Sequence, residues 1–259
     1  MVLDFLFPER RRKQLREQEI KPDLRSAIEK NVAYFARLSP ADRRELEGHV
    51  NVFLDEKKFE GCGGLQVTDE MRATIAAQAC ILLLHHEKPH YYPECDAILV
   101  YPSAYVAKRM RREGAVVIED EQAVLGESHT HGIVVLSWDD VRRGAADVHD
   151  GQNVVFHEFA HQLDQEDGAA DGAPLLERRS MYGPWARVLG KEFQALNDAI
   201  DHDRKSDIRD YAATNPAEFF AVITELFFEK PRQLRDKHPE LYAQLSAFYR
   251  QDPAALDLS

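Results

Sequence analysis

Residues 152–164 read QNVVFHEFAHQLD, and the rest of the chain can be interpreted around this stretch. Within it, His157, Glu158 and His161 form an H-E-x-x-H pattern. Because a helix advances about 100° per residue, two histidines four positions apart lie on one face, one turn apart. Both imidazoles can then reach a single Zn²⁺ ion, and Glu158 beside them can reach a water molecule at the metal. The pattern predicts a catalytic zinc helix.

The surroundings of the motif favour a buried helix over a surface one. Burying two imidazoles and a carboxylate is costly unless a metal ion or hydrogen bonds compensate them. A chance match is the alternative, since the chain has 11 histidines, but a random match falls more often on a polar surface helix. The apolar neighbours are Val154, Val155, Phe156, Phe159, Ala160 and Leu163.

Composition limits the class of protein. The 259 residues suffice for one large domain, and 44% hydrophobic with 30% charged residues is typical of soluble globular proteins. The net charge of −12 argues against nucleic acid or an anionic membrane as the main partner. Three widely spaced cysteines favour a reducing, cytosolic compartment over a disulfide framework. We find no signal-peptide pattern, and the longest apolar run, 79–84, is too short to cross a bilayer.

The pattern of apolar residues predicts an α+β fold that is mostly helical. Residues 1–22 are basic in the middle and are expected to form a loosely held lead-in. Residues 23–90 read as a helical subdomain, and 91–259 as the catalytic core, compact with 23–90. Short apolar segments predict a small mixed or antiparallel sheet beside the motif helix, at 97–101, 115–118 and 131–137. Helices are predicted at 24–38, 40–58, 68–85, 138–146, 151–164, 182–201, 216–229 and 239–249.

A catalytic zinc site usually has three protein ligands and keeps a fourth position for water. The metzincin pattern would place the third ligand at position 167, after a glycine at 164. Both positions are aspartate here, Asp164 and Asp167, so that class is excluded. The remaining solution is a carboxylate from a second helix that packs against the motif helix.

The predicted helix at 216–229, PAEFFAVITELFFE, is the best source of this carboxylate. It is mostly apolar, yet it carries Glu218 and Glu225, which lie seven positions apart on one face. Glu218 is the preferred third ligand. Two alternatives stay open: Glu218 could complete a capping box with Asn215, and Glu225 could be exposed or could orient a ligand.

Residues 210–222, DYAATNPAEFFAV, with Glu225 and Phe227-Phe228 after them, resemble the corresponding block of the Mlc titration factor A (MtfA) family. That family comprises bacterial cytosolic zinc metallopeptidases. The sequences HEFAHQLD, IVVLSW (133–138) and FYRQDP (248–253) are also similar to it, so the resemblance covers about residues 45–253. It implies a gluzincin-like, zincin-like metallopeptidase core within 91–259.

The resemblance also implies roles for individual residues. Zinc ligands would be His157, His161 and Glu218, the general base Glu158, and the residue that stabilises the transition state Tyr211. Without the resemblance, Tyr211 would be interpreted as a packing residue. The implied function is a zinc-dependent, aminopeptidase-like peptidase acting on small peptides.

A second, non-enzymatic function stays open from the same resemblance. The family is named for titrating Mlc, a glucose-regulatory repressor, so the chain could act by sequestering a transcription factor. For the peptidase, we expect strand 133–137 to form the edge of the cleft, where an extended peptide could pair with it.

Overall fold

The computed structural model describes residues 8–103, 105–113, 116–124, 126–129 and 132–256, with the backbone alone between 105 and 129. The helices are α1 (Pro8–Glu17), α2 (Pro22–Asn31), α3 (Pro40–Glu56), α4 (Asp69–Ile81), α5 (Trp138–Ala146), α6 (Val154–Asp164), α7 (Tyr182–Asp201), α8 (Pro216–Glu229), α9 (Pro231–Lys237) and α10 (Pro239–Tyr249). The strands are β1 (Lys58–Gly61), β2 (Ala97–Tyr101), β3 (Tyr105–Glu113), β4 (Val116–Val124), β5 (Gly126–His129) and β6 (Ile133–Ser137). Among these helices, none is long and apolar enough to cross a membrane.

The main sheet has the order β1-β2-β6-β5. Strands β1, β2 and β6 are parallel, with Phe59 opposite Ile98 and Ile98 opposite Val134, so the antiparallel alternative is wrong for the body of the sheet. Parallel neighbours need long crossover connections, and α4 lies in the connection between β1 and β2. Only β5 runs antiparallel, beside β6.

Strand β6 lies between β2 and β5, so the prediction that residues 133–137 form an edge strand is wrong. Strands β3 and β4 form a separate antiparallel hairpin. The predicted strands also included Ala115 and His131, which lie outside the described residues.

Helix α6 lies in the middle of the core. It packs along α8 on one side and contacts α4, α5 and β5 on others. Phe159 is fully buried, and its ring lies 5.6 Å from that of Phe53 and 4.7 Å from that of Tyr92. Phe156 packs on Phe228 of α8, with ring centroids 5.1 Å apart. Burying each such side chain contributes about 1.5–3 kcal/mol, which fixes α6 firmly.

These contacts join parts of the chain on both sides of residue 90, because Phe53 belongs to the predicted helical subdomain and Phe159 to the predicted core. Buried side chains from both regions form one hydrophobic cluster. The division into 23–90 and 91–259 stays a prediction.

Capping side chains set several helix starts at the predicted positions. Ser39 accepts a hydrogen bond from the amide of Asp42, and Thr68 accepts one from Met71. Such caps contribute about 1 kcal/mol each. Helix α4 nevertheless ends at Ile81 rather than near 85, and the short helix α9 was not predicted. Proline at the first position of α9 is compatible with a new helix start.

The basic N-terminal segment is more ordered than expected. Residues 8–17 form α1, which lies on α3. Arg11 pairs with Asp55 and Arg12 with Glu56, each at 2.7 Å, and the Arg12 guanidinium lies 5.1 Å from the ring centroid of Tyr91. The expectation of a loosely held lead-in is therefore wrong for residues 8–17.

Candidate metal centre

Asn153 fixes the start of the helix that carries the motif. Its Oδ1 accepts hydrogen bonds from the amides of Val155 and Phe156 at 3.1 and 3.0 Å. Its Nδ2 donates to Oε1 of the buried Gln78 at 2.9 Å, so the cap is attached to α4. The first histidine of the motif, His157, follows one turn later with its amide bonded to the Asn153 carbonyl.

Helix α6 places His157 and His161 on one face, and α8 places Glu218 opposite them. The Nε2 atoms of His157 and His161 lie 3.0 and 3.4 Å from the same oxygen, Oε2 of Glu218. One potential ligand atom from each residue lies within 4.8 Å of the others. Two imidazoles and a carboxylate form a donor set that catalytic zinc sites use. The three residues therefore fit a single divalent cation.

The capping role considered for Glu218 is only half present. Asn215 Oδ1 accepts from the amide of Glu218 at 2.9 Å, as an N-cap does. The Glu218 carboxylate is directed to the two imidazoles. Cap and carboxylate thus act together, since the cap fixes the first turn of α8 and the carboxylate then reaches α6.

The charges of the site are strongly coupled. Burial disfavours the charged imidazole of His157, but hydrogen bonds to Glu218 and Glu225 outweigh it and raise the pKa of His157 to about 10. Burial would raise the pKa of Glu218, yet its hydrogen bonds to His157 and His161 bring that pKa well below the usual range. Carboxylates that favour positive charge at this position also favour a metal cation.

Glu225, left open by the sequence, is 2% exposed and takes part in the site. Its Oε1 lies 2.8 Å from Nδ1 of His157, and its Oε2 accepts from the amide of Asn153 at 2.7 Å. A carboxylate can only accept, so Nδ1 donates to Glu225 and keeps its proton, and a cation at the site would take the place of the proton between Nε2 and Glu218. Glu225 thereby sets the orientation of one candidate ligand.

Two contacts of Glu225 were missed in the sequence. Arg209 donates to its Oε1 at 2.5 Å, and nothing in the charged connector around 203–209 distinguished this arginine. Asn153 could have been found, because asparagine immediately before an apolar helical run is a typical N-cap.

The predicted general base and tyrosine lie beside the same face. Glu158 follows His157 directly on α6 and is 3% exposed. Tyr211 lies in the short 3₁₀ turn Asp210–Ala213, is 49% exposed, and has its ring 6.0 Å from that of His157. Glu158 is thus a buried carboxylate next in sequence to the candidate ligand His157, and Tyr211 is a half-exposed phenol near the ring of that histidine.

A second group of potential ligands lies elsewhere, formed by Asp42, Glu45 and His85. Hydrogen bonds within the protein account for these groups. His85 Nε2 lies 2.9 Å from Asp42 Oδ1, and Glu45 accepts from the His85 amide at 2.7 Å. The group offers one imidazole, so the α6–α8 site fits a catalytic zinc better.

Comparison with known proteins agrees with this assignment of the class. The family model for the glucose-regulated metallo-peptidase M90 matches residues 7–250, so the chain belongs to that metallopeptidase family, and membership implies a bound metal ion. Relatives named Mlc titration factor A, at least 33% identical over most of the chain, confirm the resemblance to that family.

Individual relatives cover most of the chain. Mlc titration factor A of Klebsiella pneumoniae is 33% identical over 86% of this chain and 84% of its own length. The protein of that name in Serratia proteamaculans is 34% identical over 84% of each chain. An uncharacterised protein of Synechocystis sp. is 40% identical over 94% of this chain and 89% of its own.

Proposed function

We propose that this protein is a zinc-dependent peptidase in which His157, His161 and Glu218 hold one Zn²⁺ ion and Glu158 is the general base. The observation that carries the proposal is the convergence of two imidazoles and a carboxylate from two packed helices. The buried Glu158 lies beside them, a group that a purely structural zinc site would not need.

Zinc bound here would polarise the scissile carbonyl and lower the pKa of water from about 15.7 to about 7. Glu158 accepts the proton of the attacking water and passes it to the leaving amine. Tyr211 donates a hydrogen bond to the oxygen on which negative charge develops. Its half-exposed position lets this hydroxyl meet a substrate arriving from solvent.

A peptide substrate needs an extended surface next to these groups. Strand β5 is the terminal strand of the main sheet, and it lies against α6, the helix that carries His157 and His161. We infer that substrate pairs through main-chain hydrogen bonds with the outer edge of β5, in place of the edge first expected at 133–137.

The aminopeptidase-like specificity is inferred from the family resemblance. It is tested with two peptides that differ at one group, a free and an acetylated N-terminus. An aminopeptidase releases the first residue of the free peptide and leaves the acetylated one intact. Internal cleavage of both peptides at equal rates would identify an endopeptidase and overturn this part of the proposal.

The decisive variant for hydrolysis is Glu158→Gln, which keeps the shape of the side chain and removes the base. We expect kcat to fall by about 10²–10⁴-fold while zinc content stays that of the wild type. Glu166→Gln is the matched control, because Glu166 follows the same helix and contacts His90 instead of the site. Hydrolysis should also stop with a chelator and return with zinc. Full activity of Glu158→Gln would show that another group is the base.

A second candidate function follows from relatives that are named Mlc titration factor A. We propose that this chain can bind Mlc or a glucose-regulatory repressor similar to it. Binding would take place in the cytoplasm, where the three free cysteines remain reduced. Glu158→Gln should retain repressor binding in a pull-down while losing hydrolysis. Failure of both wild type and variant to retain the repressor would exclude this function.

A further inference from the structure

Arg209 is connected to the candidate metal centre through one carboxylate oxygen, Oε1 of Glu225. Its Nη2 donates to Oε1 of Glu225 at 2.5 Å, and the same oxygen lies 2.8 Å from Nδ1 of His157. The Glu225 side chain is 3% exposed and the Arg209 side chain 35%. A carboxylate this deeply buried needs compensating charge and hydrogen bonds. Arg209 is the cation that supplies them from the solvent side.

The other oxygen of Glu225 is also engaged. Its Oε2 accepts from the amide of Asn153 at 2.7 Å. Three donors therefore hold the Glu225 carboxylate in one orientation. They come from the connector before the 3₁₀ turn, from the N-cap of α6 and from the motif itself. Removing the guanidinium takes away one of these three donors and weakens the hold of Glu225 on His157.

The main chain of Arg209 has a second role. Its carbonyl accepts a hydrogen bond from the amide of Ala212 at 3.0 Å, so the turn that carries Tyr211 begins at Arg209. The Tyr211 ring lies 6.0 Å from the ring of His157. Arg209 is thus linked through its side chain and Glu225 to the candidate metal ligand His157, and through its backbone to the turn that carries Tyr211.

We infer that Arg209 is a positioning residue that fixes His157 and Tyr211 relative to each other during hydrolysis. The inference rests on the proposed function, because it assigns a purpose to the geometry of that same site. Its action on the site is indirect, through Glu225 and through the Tyr211 turn.

The contact predicts how far lysine can replace this arginine. Among the described residues, Nε of Arg209 is buried and has no hydrogen-bond partner, so Nη2 makes the ion pair with Glu225. A lysine ammonium can replace one such contact, though from a more flexible side chain. Arg209→Lys should therefore recover part of what Arg209→Met loses.

The test compares Arg209→Met, Arg209→Lys and a control, Arg204→Met, in the full chain. Arg204 lies in the same connector and donates to the carbonyl of Asp198, away from the site. Zinc affinity is measured by competition with a chelating dye, and kcat and KM with a cleavable peptide. For Arg209→Met we expect zinc binding weakened about tenfold and kcat lowered about 10–100-fold, with little change in KM.

A double-mutant cycle with Tyr211→Phe tests the link between the two groups. If Arg209 positions Tyr211, Tyr211→Phe should lower kcat much less in the Arg209→Met background than in the wild type. Arg209→Met that matches Arg204→Met in both zinc affinity and kcat would overturn the inference, whatever its melting temperature. Should the wild type cleave no peptide, the proposed function fails, and the zinc competition alone decides: unchanged affinity overturns the role of Arg209, and weakened affinity supports its action on His157.

Discussion

Nδ1 of His157 lies 2.8 Å from Oε1 of Glu225, across the interface between α6 and α8. This contact directs the other nitrogen of the ring, Nε2, to Glu218, which lies about two turns before Glu225 on the same face of α8. The two carboxylates of α8 therefore contact opposite nitrogens of one imidazole. Glu225 orients the ring, and Glu218 lies beside the nitrogen that would bind a cation.

Glu225→Gln tests the orienting contact. Glutamine keeps the size of the side chain but loses the charge that faces His157 and Arg209. We expect zinc affinity about 10–100-fold weaker than in the wild type, measured by chelator competition. Glu240→Gln on the exposed start of α10 is the control and should bind zinc normally. Wild-type affinity in Glu225→Gln would show that the contact with His157 is dispensable.

Tyr211→Phe removes the hydroxyl and keeps the ring beside His157. Because the hydrogen bond is needed only when charge develops on the substrate oxygen, we expect kcat to fall about 10²-fold or more, with KM nearly unchanged. Steady-state kinetics on one peptide distinguish this from a binding defect. A rise in KM at constant kcat would instead indicate that Tyr211 contacts the substrate in its ground state.

Glu229 gives a prediction for pH dependence. Burial raises its pKa to about 9, and the neighbouring Glu225 and Asp150 add to the effect. The folded chain thus retains a proton that the unfolded chain loses near its ordinary value of 4.5. The contribution of Glu229 to the free energy of unfolding is therefore greatest below a pH of about 4.5 and decreases as the pH rises toward about 9.

Glu229→Gln should therefore gain stability over the wild type as pH rises from 5 to 9, by a few degrees in Tm at the upper end. Melting curves across this range measure the difference. The exposed Glu29→Gln serves as the control and should show no such widening. A constant difference between Glu229→Gln and wild type at all pH values would contradict the raised pKa.

Gly172 lies where the loop after the motif helix packs closely against the start of α8. Its φ is +77°, and a Cβ there would lie 2.5 Å from the carbonyl oxygen of Pro216, two residues before Glu218. Its amide donates to the buried Asp164 at 3.0 Å, and its carbonyl accepts from Trp185 at 2.9 Å. Gly172→Ala should destabilise the protein by about 1–3 kcal/mol in urea unfolding.

Gly168 provides the comparison for that variant. It also has a positive φ, +88°, but a Cβ there meets nothing within 4 Å. Gly168→Ala should therefore cost less than Gly172→Ala, and equal losses would show that backbone strain alone, without the contact to Pro216, sets the effect.

The sequence predicted single helices well where the chemistry of their ends is explicit. Asn215 and Pro216 mark the start of α8 and Pro231 its end, so the predicted bounds 216–229 are confirmed. The two histidines could be chosen because H-E-x-x-H spacing depends only on helix geometry, and Glu218 because it is a carboxylate on a mostly apolar helix. Their assignment as zinc ligands stays a prediction, although the structure brings all three together.

Other features depend on packing that no local pattern records. The parallel pairing of β1, β2 and β6 joins segments separated by about 40 residues each, and apolar alternation does not distinguish it from antiparallel pairing. The contact between Arg209 and Glu225 likewise arises from how the turn before α8 folds back. Each side chain alone looks like an ordinary charged residue.

The zinc content of purified protein, by elemental analysis at fixed free zinc, tests the central claim most directly. We predict one zinc ion per chain in the wild type and nearly none in Glu218→Ala, with both proteins folded. A wild type that takes up no zinc, or a Glu218→Ala variant that still holds one ion per chain, would contradict the three-residue site.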